Sequence, residues 1–242
     1  MIDFHAHILP GMDDGSKSVA QSLDMFQVYS GQNVEIIVAT PHFYRESESI
    51  DSFLERRHNA YTNLVQAMPL GIATPNIVLA AEVSYFDGIS REDEIETLCI
   101  GNSRAMLLEM PFEKWCQHTL NEVRNLTSAA NIQVIIAHAE RYIRYGNNKR
   151  DLFELVEMGS ILQINASKIT MQNVSRIALE LVKCGNFCVL GSDCHDAIYR
   201  SPNIIDAYKL IIQKLGIDRI NQIEVLSKSI IAYDNITNII YI

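Results

Sequence analysis

Short apolar runs alternate with longer stretches of helical period along the chain. The runs are Ile2–His5, Glu35–Thr40, Ile77–Ala81, Ala105–Met110, Gln133–Ala137, Ile161–Asn165 and Phe187–Gly191. They are rich in Val, Ile and Leu and show little apolar–polar alternation. That is the mark of strands buried on both faces, as parallel strands are. Between them the spacing predicts helices near Ser18–Gly31, Asp51–Met68, Thr119–Ala130, Lys149–Met158, Asn173–Cys184 and Asn203–Leu215, and a last one from Arg219 to Tyr233. Strands alternating with helices predict an α/β fold with a parallel sheet. Seven units suggest a (β/α) barrel, with an open sheet as the alternative. No repeat, low-complexity tract or long linker interrupts the pattern, so residues 1–242 read as a single domain.

Where each run stops, the residue is one that binds metal or substrate. His5 and His7 close the first run and Thr40-Pro41-His42 the second. Glu82 closes the third, Glu109 the fourth, His138 the fifth and Asn165 the sixth, while Asp193 and His195 close the seventh. Sites in α/β barrels gather at the C-terminal ends of the strands, so these residues are expected to share one mouth. His5 and His7, two apart on a strand, put both imidazoles on one face where a single ion can take both. Asp193-Cys194-His195 repeats that spacing. If it is extended, Cys194 points away from the two ligands and is dispensable.

Each residue has a plainer alternative. A carboxylate after an apolar run, as Glu82 or Glu109 is, can be matched by an Arg or Lys instead of a cation, because an unpaired buried charge is very costly. His138 alone would be a hydrogen-bonded core residue. One of Asp13 and Asp14 reads as a turn residue or helix N-cap, and Asp14 is the candidate ligand. His58 and His118, within or beside helices, read as surface residues. Taken jointly, nine candidates at strand ends favour ligation: His5, His7, Asp14, His42, Glu82, Glu109, His138, Asp193 and His195. Nine are too many for one ion, so two or three ions are expected. Imidazoles mixed with carboxylates and no thiolate suit Mn²⁺, Fe²⁺ or Zn²⁺ over Ca²⁺, with Co²⁺ and Mg²⁺ as further options. Such sites activate water and clamp the oxygens of an in-line displacement. Arg141, three residues beyond His138, and Arg200, soon after His195, are candidates to grip phosphate, against the alternative of ordinary surface arginines.

Composition narrows the partners. Hydrophobic residues make up 48% and charged ones 20%, which argues against disorder. A net charge of −9 argues against broad nucleic-acid or anionic-membrane binding. The start at Met1-Ile2-Asp3 lacks a basic, then apolar leader, and no apolar run reaches the ~20 residues of a membrane span. A cytoplasmic protein with no integral membrane segment is expected. The cysteines Cys99, Cys116, Cys184, Cys188 and Cys194 read as reduced core thiols.

These residues closely resemble the polymerase-and-histidinol-phosphatase (PHP) superfamily. Its marks are the opening with His5 and His7, His42 after Thr40-Pro41, and the late Asp193-x-His195. Within it the chain resembles the bacterial manganese-dependent protein-tyrosine phosphatases of capsule and exopolysaccharide loci. Carrying that likeness are Met1-Ile2-Asp3-Phe4-His5-Ala6-His7-Ile8, Asp13-Asp14-Gly15, Ala39-Thr40-Pro41-His42, Leu107-Leu108-Glu109-Met110-Pro111-Phe112, Ile136-Ala137-His138-Ala139-Glu140-Arg141-Tyr142 and Ser192-Asp193-Cys194-His195. The resemblance implies a distorted (β/α)7 TIM-like barrel of the PHP type with three Mn²⁺ ions. It implies one ion on His5, His7, Glu82 and Asp193, a second on Glu82, Glu109 and His138, and a third on Asp14, His42 and His195. Arg141 and Arg200 would bind phosphate, and the substrate would be phosphotyrosine on a bacterial tyrosine kinase that regulates polysaccharide export. The expected chemistry is direct attack on phosphorus by metal-bound hydroxide, with His42 as ligand or as acid for the leaving group.

Three rivals remain at this stage. Cys194 and Arg200 satisfy the Cys-x5-Arg spacing of cysteine-dependent tyrosine phosphatases, yet the stretch has no glycine to shape a phosphate-binding nest. The same metal site would also serve a small phosphomonoester such as histidinol phosphate. A non-catalytic adaptor for a kinase, retaining metal structurally, is the third.

Overall fold

A computed structural model describes residues 1–69, 74–171, 175–183 and 187–238. The strands are β1 (Ile2–Ala6), β2 (Ile36–Ala39), β3 (His42–Phe43), β4 (Asn76–Leu79), β5 (Glu82–Ser84), β6 (Ala105–Glu109), β7 (Gln133–Ile136), β8 (Ile161–Asn165) and β9 (Cys188–Gly191). The helices are α1 (Val19–Ser30), α2 (Ile50–Ala67), α3 (Gln117–Ser128), α4 (Asn148–Glu157), α5 (Ala166–Thr170), α6 (Ser175–Lys183), α7 (Ile204–Leu215) and α8 (Ile217–Asn238). The expected order of strands and helices is therefore present, with three differences, one being the short unexpected helix α5. The second and third runs each break into two strands, so that His42 and Glu82 open a new strand where they were expected to close one. The last helix starts earlier and runs on to Asn238. Asn173 and Cys184, the expected ends of the fifth predicted helix, which appears as α6, lie outside the described residues.

All pairings are parallel and form two sheets, β1-β2-β4 and β3-β5-β6-β7-β8-β9. The two meet where β9 comes beside β1. There the Asp193 N–H donates to the His5 carbonyl at 2.8 Å and the His7 N–H to the Cys194 carbonyl at 3.0 Å. Gly191 makes this approach possible, since a Cβ there would lie 2.5 Å from His5 Cβ and 2.7 Å from Gln163 Nε2.

Both faces of the strands are buried, as the unalternating runs require. One face meets the helices through residues such as Ile37, Met106, Leu108, Val134, Leu162 and Leu190. The other carries Phe4, Val38, Ala80, Leu107, Ile135 and Val189, against which Ile230 and Ile231 of α8 pack. Following this second face by twos along β2, β6, β8 and β9, the apolar ladder turns polar at its end. Val38 leads to Thr40 and His42, Leu107 to Glu109, Ile161 to Gln163 and Asn165, and Val189 to Gly191 and Asp193. The site is the polar end of a core face.

Strand β1 reaches that face by an irregularity. Its register against β2 runs Ile2 to Ile36 and Asp3 to Ile37, then Ala6 to Ala39, so Phe4 and His5 together oppose Val38. The displaced His5 N–H is captured by Asp3 Oδ1 at 3.1 Å. Asp3 itself faces the helices, where Tyr29 of α1 donates its hydroxyl to Oδ2 at 2.6 Å and the Ser192 N–H donates to Oδ1 at 2.8 Å.

Candidate metal centre

All nine expected ligands converge. Glu82, 1% exposed, stands at the middle. Its Oε2 lies 3.0 Å from His5 Nε2, 3.0 Å from His42 Nδ1 and 3.3 Å from His7 Nε2, and its Oε1 lies 2.9 Å from His138 Nε2. Glu109 is 3.3 Å from His138. Asp14 bridges the outer rings, 3.2 Å from His195 Nε2 and 3.5 Å from His42 Nε2. Asp193 Oδ1 lies 3.8 Å from His5 and 3.7 Å from His7. Among the described residues, three overlapping groups have ligand atoms close enough to share an ion: His7, Asp14, His42 and His195; His5, His7 and Asp193; and His42, Glu82 and Glu109. These overlap the sets implied by the family resemblance without coinciding, because His42 reaches two groups and His7 reaches two.

The donor chemistry fits a cation. Glu82 Oε2, His42 Nδ1 and His195 Nε2 are buried and make no hydrogen bond, although buried polar atoms are ordinarily paired. His5 donates or accepts at Nδ1 with Gln163 Oε1 at 2.9 Å, and His7 at Nδ1 with Asp13 Oδ2 at 2.7 Å. Oxygens accept, so both rings carry their proton on Nδ1 and turn the Nε2 lone pairs towards one another, 3.0 Å apart. Two lone pairs facing at that distance repel unless a proton or a metal ion stands between them.

The electrostatics agree. Burial pushes the His7 imidazole down, yet hydrogen bonds to Asp13 and Glu82 outweigh it and carry its pKa up to about 10. Burial likewise opposes charge on His138, while Glu109 and Glu82 raise it to about 9. Burial alone would lift the Glu82 carboxyl, but positive charge on His5 and the hydrogen bond from His138 hold it well below the carboxylate range. The carboxylates thus create a field that draws in positive charge, whether protons or metal ions.

Both candidate arginines reach the cluster through Asp193. Arg141 Nη2 pairs with Asp193 Oδ2, and Arg200 Nη2 donates to Asp193 Oδ1 at 2.7 Å. Arg141 is 30% and Arg200 44% exposed, so each keeps donors free to turn to an incoming anion. Exposed aromatic rings flank the histidines: Tyr44 stacks on His42 with centroids 5.2 Å apart, and Phe112 on His138 at 5.5 Å.

Several expectations need correction. The turn reading holds for Asp13, which accepts the N–H of Gly15 two residues on, but neither Asp13 nor Asp14 caps α1; Ser18 does, accepting the Gln21 N–H at 3.3 Å. Asp13 instead accepts from Gly15 N–H and His42 N–H as well as from His7. Asp193 is not extended but left-handed, with φ of 54°. Cys194 still points away from the ligands, into a buried pocket with Tyr29, where burial pushes its thiol up to about 12. Cys116 is exposed, unlike Cys99, Cys188 and Cys194, and Cys184 is outside the described residues. His58 and His118 are surface residues as expected.

Sequence reasoning passed over Asp13 as a supporting group and missed Gln163. Gln163 was hidden inside an apolar run, although a lone amide two residues before Asn165 on the same strand face was a usable signal. Its Oε1 also accepts the His138 N–H at 2.7 Å, and its Nε2 donates to Asn165 Oδ1, which belongs to the amide that donates to Asp193. Gln163→Leu is expected to weaken metal binding about 10- to 100-fold, read by chelator competition, because it frees the His5 ring and its tautomer. Unchanged affinity would show that the contact is incidental.

CapC of Staphylococcus aureus is 30% identical over 207 residues, covering 83% of this chain and 79% of that one. The tyrosine-protein phosphatase CpsB of Streptococcus pneumoniae is 29% identical over 238 residues, covering 89% and 91%. Crystal structures of YwqE from Bacillus subtilis and CpsB from Streptococcus pneumoniae, described as metal-dependent tyrosine phosphatases, include a match with a TM-score of 0.75 at 24% identity, covering 89% of this chain and 88% of the other. The family model for capsular polysaccharide synthesis, CpsB/CapC, matches residues 1–231, and the chain belongs to that family.

Proposed function

We propose that this chain is a metal-dependent protein-tyrosine phosphatase that acts on a phosphorylated bacterial tyrosine kinase and so regulates capsule or exopolysaccharide synthesis. The observation that carries this reading is the meeting of nine metal-type side chains with two arginines at one carboxylate, Asp193. We assign His5, His7, Asp14, His42, Glu82, Glu109, His138, Asp193 and His195 as ligands of two or three ions, with Mn²⁺ the favoured metal. His42 has both ring nitrogens turned to cluster carboxylates, which supports a ligand role over a free acid. The two sheets are read as one distorted (β/α)7 barrel in a single domain. In that reading β2 and β3, like β4 and β5, count as one interrupted strand, and the Ala6–Cys194 bridge joins the first strand position to the last.

Bound ions would lower the pKa of water and neutralise charge on the phosphoryl group. The chain's own residues do the rest. Arg141 and Arg200 turn from Asp193 towards the non-bridging phosphate oxygens and hold them through charge-assisted hydrogen bonds. Tyr44 and Phe112 supply faces for the aryl ring of the leaving group. Water attacks phosphorus, the bond to the tyrosyl oxygen breaks, and the phenolate takes up a proton. No side-chain nucleophile is needed, and buried Cys194 is not one. Among the described residues no helix is long and apolar enough to cross a membrane.

Turnover of a phosphotyrosine peptide, abolished by chelation and restored by Mn²⁺, is the test. Iodoacetamide should leave it intact. Apparent metal affinity should also rise with pH. The imidazoles with raised pKa, about 10 for His7 and about 9 for His138, hold protons below those values. Each ion must displace them, so competition grows as pH falls. Proton release on titrating the ion-free protein at pH 7 checks this sign. Activity that survives exhaustive chelation would refute the proposal.

A further inference from the structure

Two cavities lie beside the metal-type cluster and share Arg141 and Lys168 as walls. The smaller, about 320 Å³, also meets Asp193, Tyr199 and Arg200. The larger, about 640 Å³, continues past Phe112, Glu140, Arg144 and Tyr145. Together they make a track leading outward from the two phosphate-binding arginines.

The charges along this track are sorted by depth. Its two carboxylates, Glu140 and Asp193, are each 5% exposed. Its accessible charges are all cations, Arg141, Arg144, Lys168 and Arg200, in a chain whose net charge is −9. Arg141 and Arg200 are matched by Asp193. Arg144 lies over the Tyr145 ring and donates to its hydroxyl, and Lys168 Nζ meets only Met171 sulfur at 3.7 Å. Among the described residues neither forms an ion pair with a carboxylate. Beside the smaller cavity, Asp196 Oδ1 accepts the N–H groups of Ile198 and Tyr199 at 2.6 and 2.5 Å and so fixes a loop that leaves those side chains 77% and 92% exposed.

We propose that this track binds the polypeptide flanking a phosphorylated tyrosine and selects acidic residues there. The inference rests on the proposed phosphatase function. Arg144 and Lys168 meet the carboxylates of the flanking residues, and Tyr199 forms an apolar wall. Charges at such a rim act on capture and selectivity and are weakened by salt.

The test uses the whole metal-loaded chain and three labelled peptides built around a non-hydrolysable phosphonate analogue of phosphotyrosine, flanked by Glu, by Ser or by Lys. Fluorescence anisotropy is expected to show about tenfold tighter binding of the Glu peptide than of the Ser peptide at low salt, with the gap closing at about 0.5 M salt. Arg144→Gln with Lys168→Gln should lose most of the preference, and Arg144→Glu with Lys168→Glu should reverse it in favour of the Lys peptide. Hydrolysis of p-nitrophenyl phosphate, which carries no flanking residues for Arg144 and Lys168 to meet, should be the same in all three proteins. Equal affinity for the three peptides, or a preference that survives both double variants, would overturn the inference. Failure of the wild type to hydrolyse p-nitrophenyl phosphate would count against the phosphatase function itself, and the binding series would still decide the peptide preference.

Discussion

Glu82→Gln is expected to lower kcat about a thousandfold or more and to reduce bound metal, since changes to outer partners of a metal site alone cost about 10–100-fold. The reason is its position. One carboxylate lies within 3.3 Å of His5, His7, His42 and His138 at 1% exposure, and among the described residues no other carboxylate contacts as many of the candidate imidazoles. The substitution keeps volume and one oxygen but removes the charge that balances the imidazoles. Metal analysis and kinetics on the same preparation check it. A variant with full metal content and near wild-type kcat would remove Glu82 from the centre. Circular dichroism should stay native, because the apolar face behind it, with Ala80, Leu107 and Ile135, is untouched.

Arg141→Ala is expected to lower kcat by about 2–4 kcal/mol of transition-state stabilisation, or ~30- to 1,000-fold, with metal content unchanged. Asp193 would keep its orientation without Arg141, because Asn165 Nδ2 donates to the same oxygen at 2.8 Å and Arg200 holds the other. The loss should therefore fall on the anion and not on the ions. Arg141→Lys should recover only part, since an ammonium keeps the charge but not the planar fork. Loss of metal along with activity would instead make Arg141 a support for Asp193. The two variants separate by what they remove: Glu82 acts through the ions and Arg141 through the phosphate.

The chain's pattern specified a good deal of this. The apolar runs are long enough and unalternating enough to announce parallel strands buried on both faces, and the helices between them appear with ends near those expected. The gathering of the candidate ligands was legible because His5, Glu109, His138 and Asp193 each end apolar runs that can bury them only if a cation compensates. Arg141 and Arg200 needed more than pattern, since only the fold brings residues 59 apart onto opposite oxygens of Asp193.

What the sequence by itself determined was the order of the elements and the kinds of residue at their ends. Tertiary structure decided which way those residues face. By strict alternation Asp3, His5 and His7 share one side of β1, with Ile2, Phe4 and Ala6 on the other. In the fold Asp3 turns to Tyr29 and the helices, while His5 and His7 join the side of Phe4. One extra residue opposite Val38 makes the switch, and Asp3 pays for it by accepting the N–H that the ladder leaves unpaired. The same holds for Gln163 and Asp13, which orient the rings of His5 and His7 from distant or looped positions. A register shift and a ring tautomer depend on which groups lie opposite in space, and a period along one strand carries no record of its neighbour.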